Sequence, residues 1–110
     1  MKKEDRQWTI LEKAKTILMD WSKENDAHVF SVHFVPMLNF AVEVYVFYET
    51  DYDKAQNESD KVSEIIKQKF LKELITLRYM ELFDDNITFI FDFHENVINN
   101  YQGSYFLRLR

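Results

Sequence analysis

Phe40-Ala41-Val42-Glu43-Val44-Tyr45-Val46-Phe47-Tyr48-Glu49-Thr50 is the stretch on which the fold turns. β-branched and aromatic residues recur at a period of two, which predicts a strand with Val42, Val44, Val46 and Tyr48 facing a core. The opposite set, Ala41, Glu43, Tyr45, Phe47 and Glu49, mixes carboxylates with large aromatics. A merely solvated face does not require that mixture, so what lies against it bears on both architecture and function.

Working toward the N-terminus, Pro36-Met37-Leu38-Asn39 reads as a four-residue hairpin turn. Before it, residues 28–35 alternate with Phe30, Val32 and Phe34 on one side and Val29, Ser31, His33 and Val35 on the other. From Trp8 to about Lys23, Ile10, Leu11, Ala14, Ile17, Leu18 and Trp21 trace one buried helical stripe, with Thr9 and Glu12 as a capping box or Asp5 as an earlier cap. Toward the C-terminus, Thr50 to Asp60 is a polar, acidic loop and helix start. Val62, Ile65, Ile66, Phe70, Leu74 and Leu77 then predict a long helix running to about Leu82. Asp84-Asp85-Asn86 signals a turn. Ile87, Phe89, Phe91 and Phe93, alternating with Thr88, Ile90, Asp92 and His94, predict a third strand. Residues 95–103 read as a loop, and Tyr105, Leu107 and Leu109, alternating with Ser104, Phe106, Arg108 and Arg110, read as a fourth strand.

The expected fold is therefore a single α+β domain over residues 1–110 with element order αββαββ. It has a four-stranded antiparallel-type sheet and two helices on one face, arranged as a permuted ferredoxin-like sheet of order three-four-two-one or as a plain meander of two hairpins. The helices would bury Phe30, Val32, Phe34, Val42, Val44 and Val46 from the first hairpin, and Phe89, Phe91, Phe93, Tyr105, Leu107 and Leu109 from the second.

Composition narrows the function. A chain of 110 residues should expose roughly 6,500 Å² when folded, which leaves room for a real core. There is no Cys, one Gly (Gly103) and one Pro (Pro36). Disulfides, Cys-type metal sites, thiol nucleophiles, phosphate-binding glycine loops and GxSxG elbows are thereby excluded. The absence of Cys fits a reducing compartment, and no apolar run approaches the ~20 residues of a membrane span, so a cytoplasmic location is expected. The 14 Lys+Arg against 19 Asp+Glu leave a net charge of −5. That charge disfavours nucleic acid and favours a basic partner.

Chemical constellations are sparse. Asp92 and His94 at i, i+2, with Glu95 adjacent, are the nearest approach to a metal or acid–base group, but His28, His33 and His94 are the only histidines. In the expected sheet His33 and His94 stand three strand spacings apart, roughly 14 Å. Ser31 beside His33 is the only nucleophile–base pair suggested by spacing. No cofactor, metal or catalytic residue is expected. On the uncovered sheet face, Tyr45, Phe47, Ile90 and Phe106 form an apolar patch with a charged rim. The candidate contact residues are Glu43, Tyr45, Phe47, Glu49, Asp92 and Phe106, the aromatics as anchors and the carboxylates as steering charges. Ordinary cross-strand pairing, with Arg108 neutralising Glu43 or Glu49, accounts for the same residues without a partner. The acidic run from Glu49 to Asp60 extends the negative surface or simply suits a helix N-terminus. Met37 and Leu38 at the hairpin tip either fold over a helix end or make a contact.

Phe91-Asp92-Phe93-His94-Glu95-Asn96-Val97, followed by Asn100-Tyr101-Gln102-Gly103-Ser104-Tyr105-Phe106-Leu107-Arg108-Leu109, resembles the tail of small bacterial immunity proteins of polymorphic or contact-dependent toxin systems. The resemblance covers about 20 of the 110 residues. It implies a cytoplasmic, non-catalytic inhibitor that binds a toxin domain, often a basic nuclease, and occludes its active site by charge and shape. The alternative from the residues alone is a homodimeric ligand-binding or enzymatic domain with a shared cavity near His33, His94 and Arg108.

Overall fold

A computed structural model describes residues 2–83 and 86–110. Helix α1 spans Lys3–Glu24 and starts five residues before the expected Trp8. Its buried stripe is Gln7, Leu11, Ala14, Leu18 and Ser22, polar at both ends and apolar between. The end residues anchor neighbouring backbone: Gln7 Nε2 donates to Phe40 O at 3.0 Å and to Tyr79 Oη at 3.1 Å, and Ser22 Oγ accepts from Val29 N at 3.1 Å. Thr9 does not cap the helix; its hydroxyl donates to Asp5 O one turn back.

Strands β1 (Val29–Pro36) and β2 (Val42–Tyr48) form the expected antiparallel hairpin around a tight turn at Leu38–Phe40, in which Asn39 and Phe40 are left-handed. Val42, Val44, Val46 and Tyr48 all point into the core. Phe30 does not: a bulge between Val29 and Ser31 turns Val29 inward instead and leaves Phe30 45% exposed.

From Tyr48 the chain departs most from expectation. The acidic stretch is a helix, α2 (Asp51–Ser59), whose Thr50 cap accepts from Asp53 N. Lys61, left-handed at φ 63°, separates it from α3 (Val62–Thr76). Arg78, also left-handed, separates α3 from the short α4 (Met80–Phe83). The expected turn at Asp84-Asp85 lies outside the described residues. This long crossover returns the chain so that β3 (Ile87–Phe93) pairs parallel to β2, Val44 beside Phe89 and Phe47 beside Asp92.

The sheet is thus three-stranded and mixed, in the order β1-β2-β3. The expected αββαββ order and four-stranded antiparallel-type sheet with two helices on one face are overturned, because the expected fourth strand is helical and packs on the opposite sheet face, and β3 pairs parallel to β2. Residues 94–110 form α5 (His94–Asn100) and α6 (Tyr105–Leu109). Tyr101 and Gly103 both donate to Val97 O, which closes α5, and Gln102 and Gly103 take the left-handed conformation needed to reverse the chain. Ser104 then caps α6 by accepting from Leu107 N.

The main core lies between one sheet face and α1, α3 and α4, filled by Leu11, Leu18, Val44, Ile66, Phe70 and Leu74 among others. Buried polar groups in this layer are paired: Tyr48 Oη with Ser63 Oγ at 2.6 Å, and Asn57 Nδ2 to Ala27 O at 2.6 Å. The accessible surface, 6826 Å², matches the roughly 6,500 Å² expected for one domain of this size. Among the described residues, no helix is long and apolar enough to cross a membrane.

Candidate partner-binding site

The second sheet face, expected to be open, is covered by α5 and α6. A helical turn places Tyr105, Arg108 and Leu109 on one side of α6, since residues three and four apart are neighbours there. The Tyr105 ring stacks on His33 at 4.5 Å and meets Phe47 edge-on at 4.9 Å. Its hydroxyl shares a 2.6 Å hydrogen bond with His94 Nδ1, and the His94 ring in turn stacks on Phe30 at 3.9 Å. Tyr105 therefore bridges His33 on one edge strand and His94 at the end of the other, two groups that the expected sheet held far apart.

Asp92 holds the cap at its other side. Arg108 Nε donates to Asp92 Oδ2 at 2.6 Å, Asn96 Nδ2 donates to the same carboxylate, and Phe93 N donates to Oδ1 at 2.8 Å. The guanidinium also lies over Tyr45 and Tyr101, 5.4 and 5.7 Å from the ring centroids. Burial works to lower the Arg108 pKa, but the hydrogen bond and charge of Asp92 outweigh it and leave the group above its ordinary value. The Tyr105 hydroxyl is raised by burial, against a hydrogen bond from Ser31.

The six expected contact residues therefore separate. Phe47 is completely buried and Asp92 is 6% exposed, so both hold the cap in place rather than face outward. Tyr45 is half-buried, with its hydroxyl directed at Glu43 Oε1. Glu43 is partly exposed and pairs across the ladder with Val35, whereas Glu49 lies beyond the opposite end of β2, about 20 Å away. Phe106 stands free, at 75% exposure.

Phe106 opens onto an apolar groove of about 410 Å³ between α6 and β1, lined by His33, Phe34, Val35, Pro36, Tyr105, Leu109 and Arg110. Among the described residues β1 is an edge strand, with β2 on one side and no strand on the other. The groove runs to Pro36, and the next residues, Met37 and Leu38, extend the apolar surface, Leu38 being 88% exposed. The β1 wall of this groove is legible in the sequence, whereas the α6 wall is not, because a six-residue alternation hides the i, i+3, i+4 set Tyr105, Arg108, Leu109.

Ser31 Oγ and His33 Nε2 are 3.1 Å apart, the distance of a nucleophile and its base. The Tyr105 ring closes over the imidazole, and packing accounts for the pair. Burial, reinforced by the Lys15 charge, holds the His33 pKa below 6.5. The folded protein thus resists protonation of a group that the unfolded chain protonates from pH 6.5 downward. Below that pH the unfolded state binds the extra proton, so stability falls until the folded pKa is passed. Melting temperatures between pH 7.5 and 5.5 should decline more steeply for the wild type than for His33→Gln; parallel declines would remove His33 as the cause.

The chain matches no protein-family model, no curated protein and no solved structure. The sheet and its two helical layers define an α+β domain with an apolar groove at the edge formed by α6 and β1.

Proposed function

We propose that the protein is a non-catalytic, cytoplasmic protein-binding module of the immunity class, which neutralises a basic toxin domain. The observation that carries this reading is the apolar edge formed by Phe106, Leu109, Pro36, Met37 and Leu38, open to solvent along the edge strand β1 on a chain of net charge −5. Apolar anchors ringed by charge are the composition of a protein interface. An edge strand adds backbone donors and acceptors for an incoming segment. Phe106 and Leu38 are the anchors and Glu43 a rim charge; the net negative field speeds encounter with a basic surface.

The tagged protein, purified from its native host at low and high salt, should retain a stoichiometric basic protein. Phe106→Ala should weaken that complex at least tenfold, mainly through faster dissociation, with stability changed by no more than about 0.5 kcal/mol. Leu38→Ser should act in the same direction. If neither substitution affects capture, the edge is not the interface. A homodimer by light scattering with no captured protein would favour a ligand-binding dimer instead.

A further inference from the structure

Three elements meet outside the carboxyl end of the parallel pair β2 and β3. β1 runs antiparallel to β2, so its start lies at this same end, and Glu49 N donates to His28 O at 3.1 Å. His28 precedes β1, Glu49 follows β2, and Asp53 sits in the first turn of α2. Their ligand atoms, one imidazole nitrogen and two carboxylate oxygens, all lie within 4.8 Å of one another. His28 Nδ1 and Glu49 Oε2 are 3.8 Å apart, too far for a hydrogen bond and close to the spacing of two donors around a shared ion.

The geometry points to a divalent transition-metal site formed by His28, Glu49 and Asp53. Zinc bound at its usual ~2.0–2.2 Å to nitrogen and oxygen donors sets ligand atoms roughly 3.4 Å apart, so the side chains need close by at most about 1.4 Å. His28 and Glu49 are about half exposed and free to make that adjustment. An imidazole with two carboxylates suits Zn²⁺ or Mn²⁺ and is a poor match for Ca²⁺, which prefers oxygen alone. The amide donors at the start of α2 do not compete for these carboxylates. Glu95 Oε1 accepts from Asp51 N at 2.8 Å, and Thr50 Oγ1 accepts from Asp53 N at 3.0 Å. A cleft of about 420 Å³, with Asp26 and Lys23 in its wall, adjoins His28 and Glu49 and leaves the metal's remaining positions open to water or to a ligand. The carboxyl ends of strands are also where sheets with parallel strands most often gather functional groups.

Zn²⁺ titrated into the metal-stripped full chain, followed by calorimetry and by the histidine NMR signals, tests the site. One equivalent should bind with a Kd on the order of 10 µM or tighter, shifting the His28 ring. His28→Ala should weaken binding at least a hundredfold and Glu49→Gln at least tenfold, while Glu64→Gln on α3 should leave it unchanged. Circular dichroism of each variant verifies that it is folded. Three results would overturn the site: no binding at roughly 1 mM Zn²⁺, affinity retained in both variants, or equal binding of Ca²⁺, which would indicate an acidic surface only.

Discussion

Phe47→Ala is expected to destabilise the protein by about 3–5 kcal/mol, the range for removing a fully buried aromatic ring. Phe47 has no exposed surface and stands outside the main core cluster. It fills the second layer, where His33 and Tyr105 meet its ring edge-on at 5.6 and 4.9 Å. Truncation would leave a void between β2 and α6 that neither rigid element can close, since the sheet is fixed from the other side by Phe70 and Leu74. Urea unfolding of the variant should show the loss as a lower midpoint with an unchanged slope. Beside it, Phe106→Ala separates two roles that the sequence assigned together. Phe47 should govern stability and Phe106 only affinity. A Phe47→Ala loss below about 1 kcal/mol would mean that α6 does not pack on the sheet as described.

Arg108→Ala is expected to cost about 3 kcal/mol, at the lower end of the range for breaking a buried ion pair. The substitution leaves the Asp92 carboxylate in its nearly water-free position, with Phe93 N and Asn96 Nδ2 as its remaining donors among the described residues. The cation resting over Tyr45 and Tyr101 is lost with it. The penalty arises from the stranded charge rather than from the missing contact. Asp92→Asn in the Arg108→Ala background should therefore recover a good part of the stability, although it removes a second native group. Hydrogen exchange should place the effect locally, with faster exchange of the backbone amides at positions 107 and 108 in α6, which donate to Ser104, than of those in β2. Equal losses in the single and double variants would show that Asp92 is not stranded by removal of Arg108.

Both predictions depend on the segment for which sequence reading and structure disagree. Over residues 105–110 the alternation of Tyr105, Leu107 and Leu109 fits a strand, but six residues are too few to separate a period of two from one of 3.6. The cues that favour a helix are local: a capping Ser104, the Gln102–Gly103 reversal before it, and an Asn-rich run that bonds along its own turn, Asn100 to Asn96 and Asn96 to Asp92. The 38 residues between Tyr48 and Ile87 were a second cue, since a connection of that length with helical periodicity is what a parallel crossover requires. The aromatics on the face carrying Glu43, Tyr45 and Phe47 set it apart from a merely solvated surface, but that face is not open as expected. What covers it is the chain's own C-terminus.

Residues 40–50 determine by themselves that β2 is a strand, which side faces the helices and which side carries aromatics, because side-chain direction follows directly from a period of two. The stripe in α1, the hairpin around Pro36 and the strand character of Ile87–Phe93 are local in the same way. Only the tertiary structure decided the parallel pairing of β3, the inward turn of Val29 in place of Phe30, and the approach of His28 to Asp53. Each depends on where distant segments meet, and pairing free energy between segments far apart in the chain leaves no periodic mark on either one.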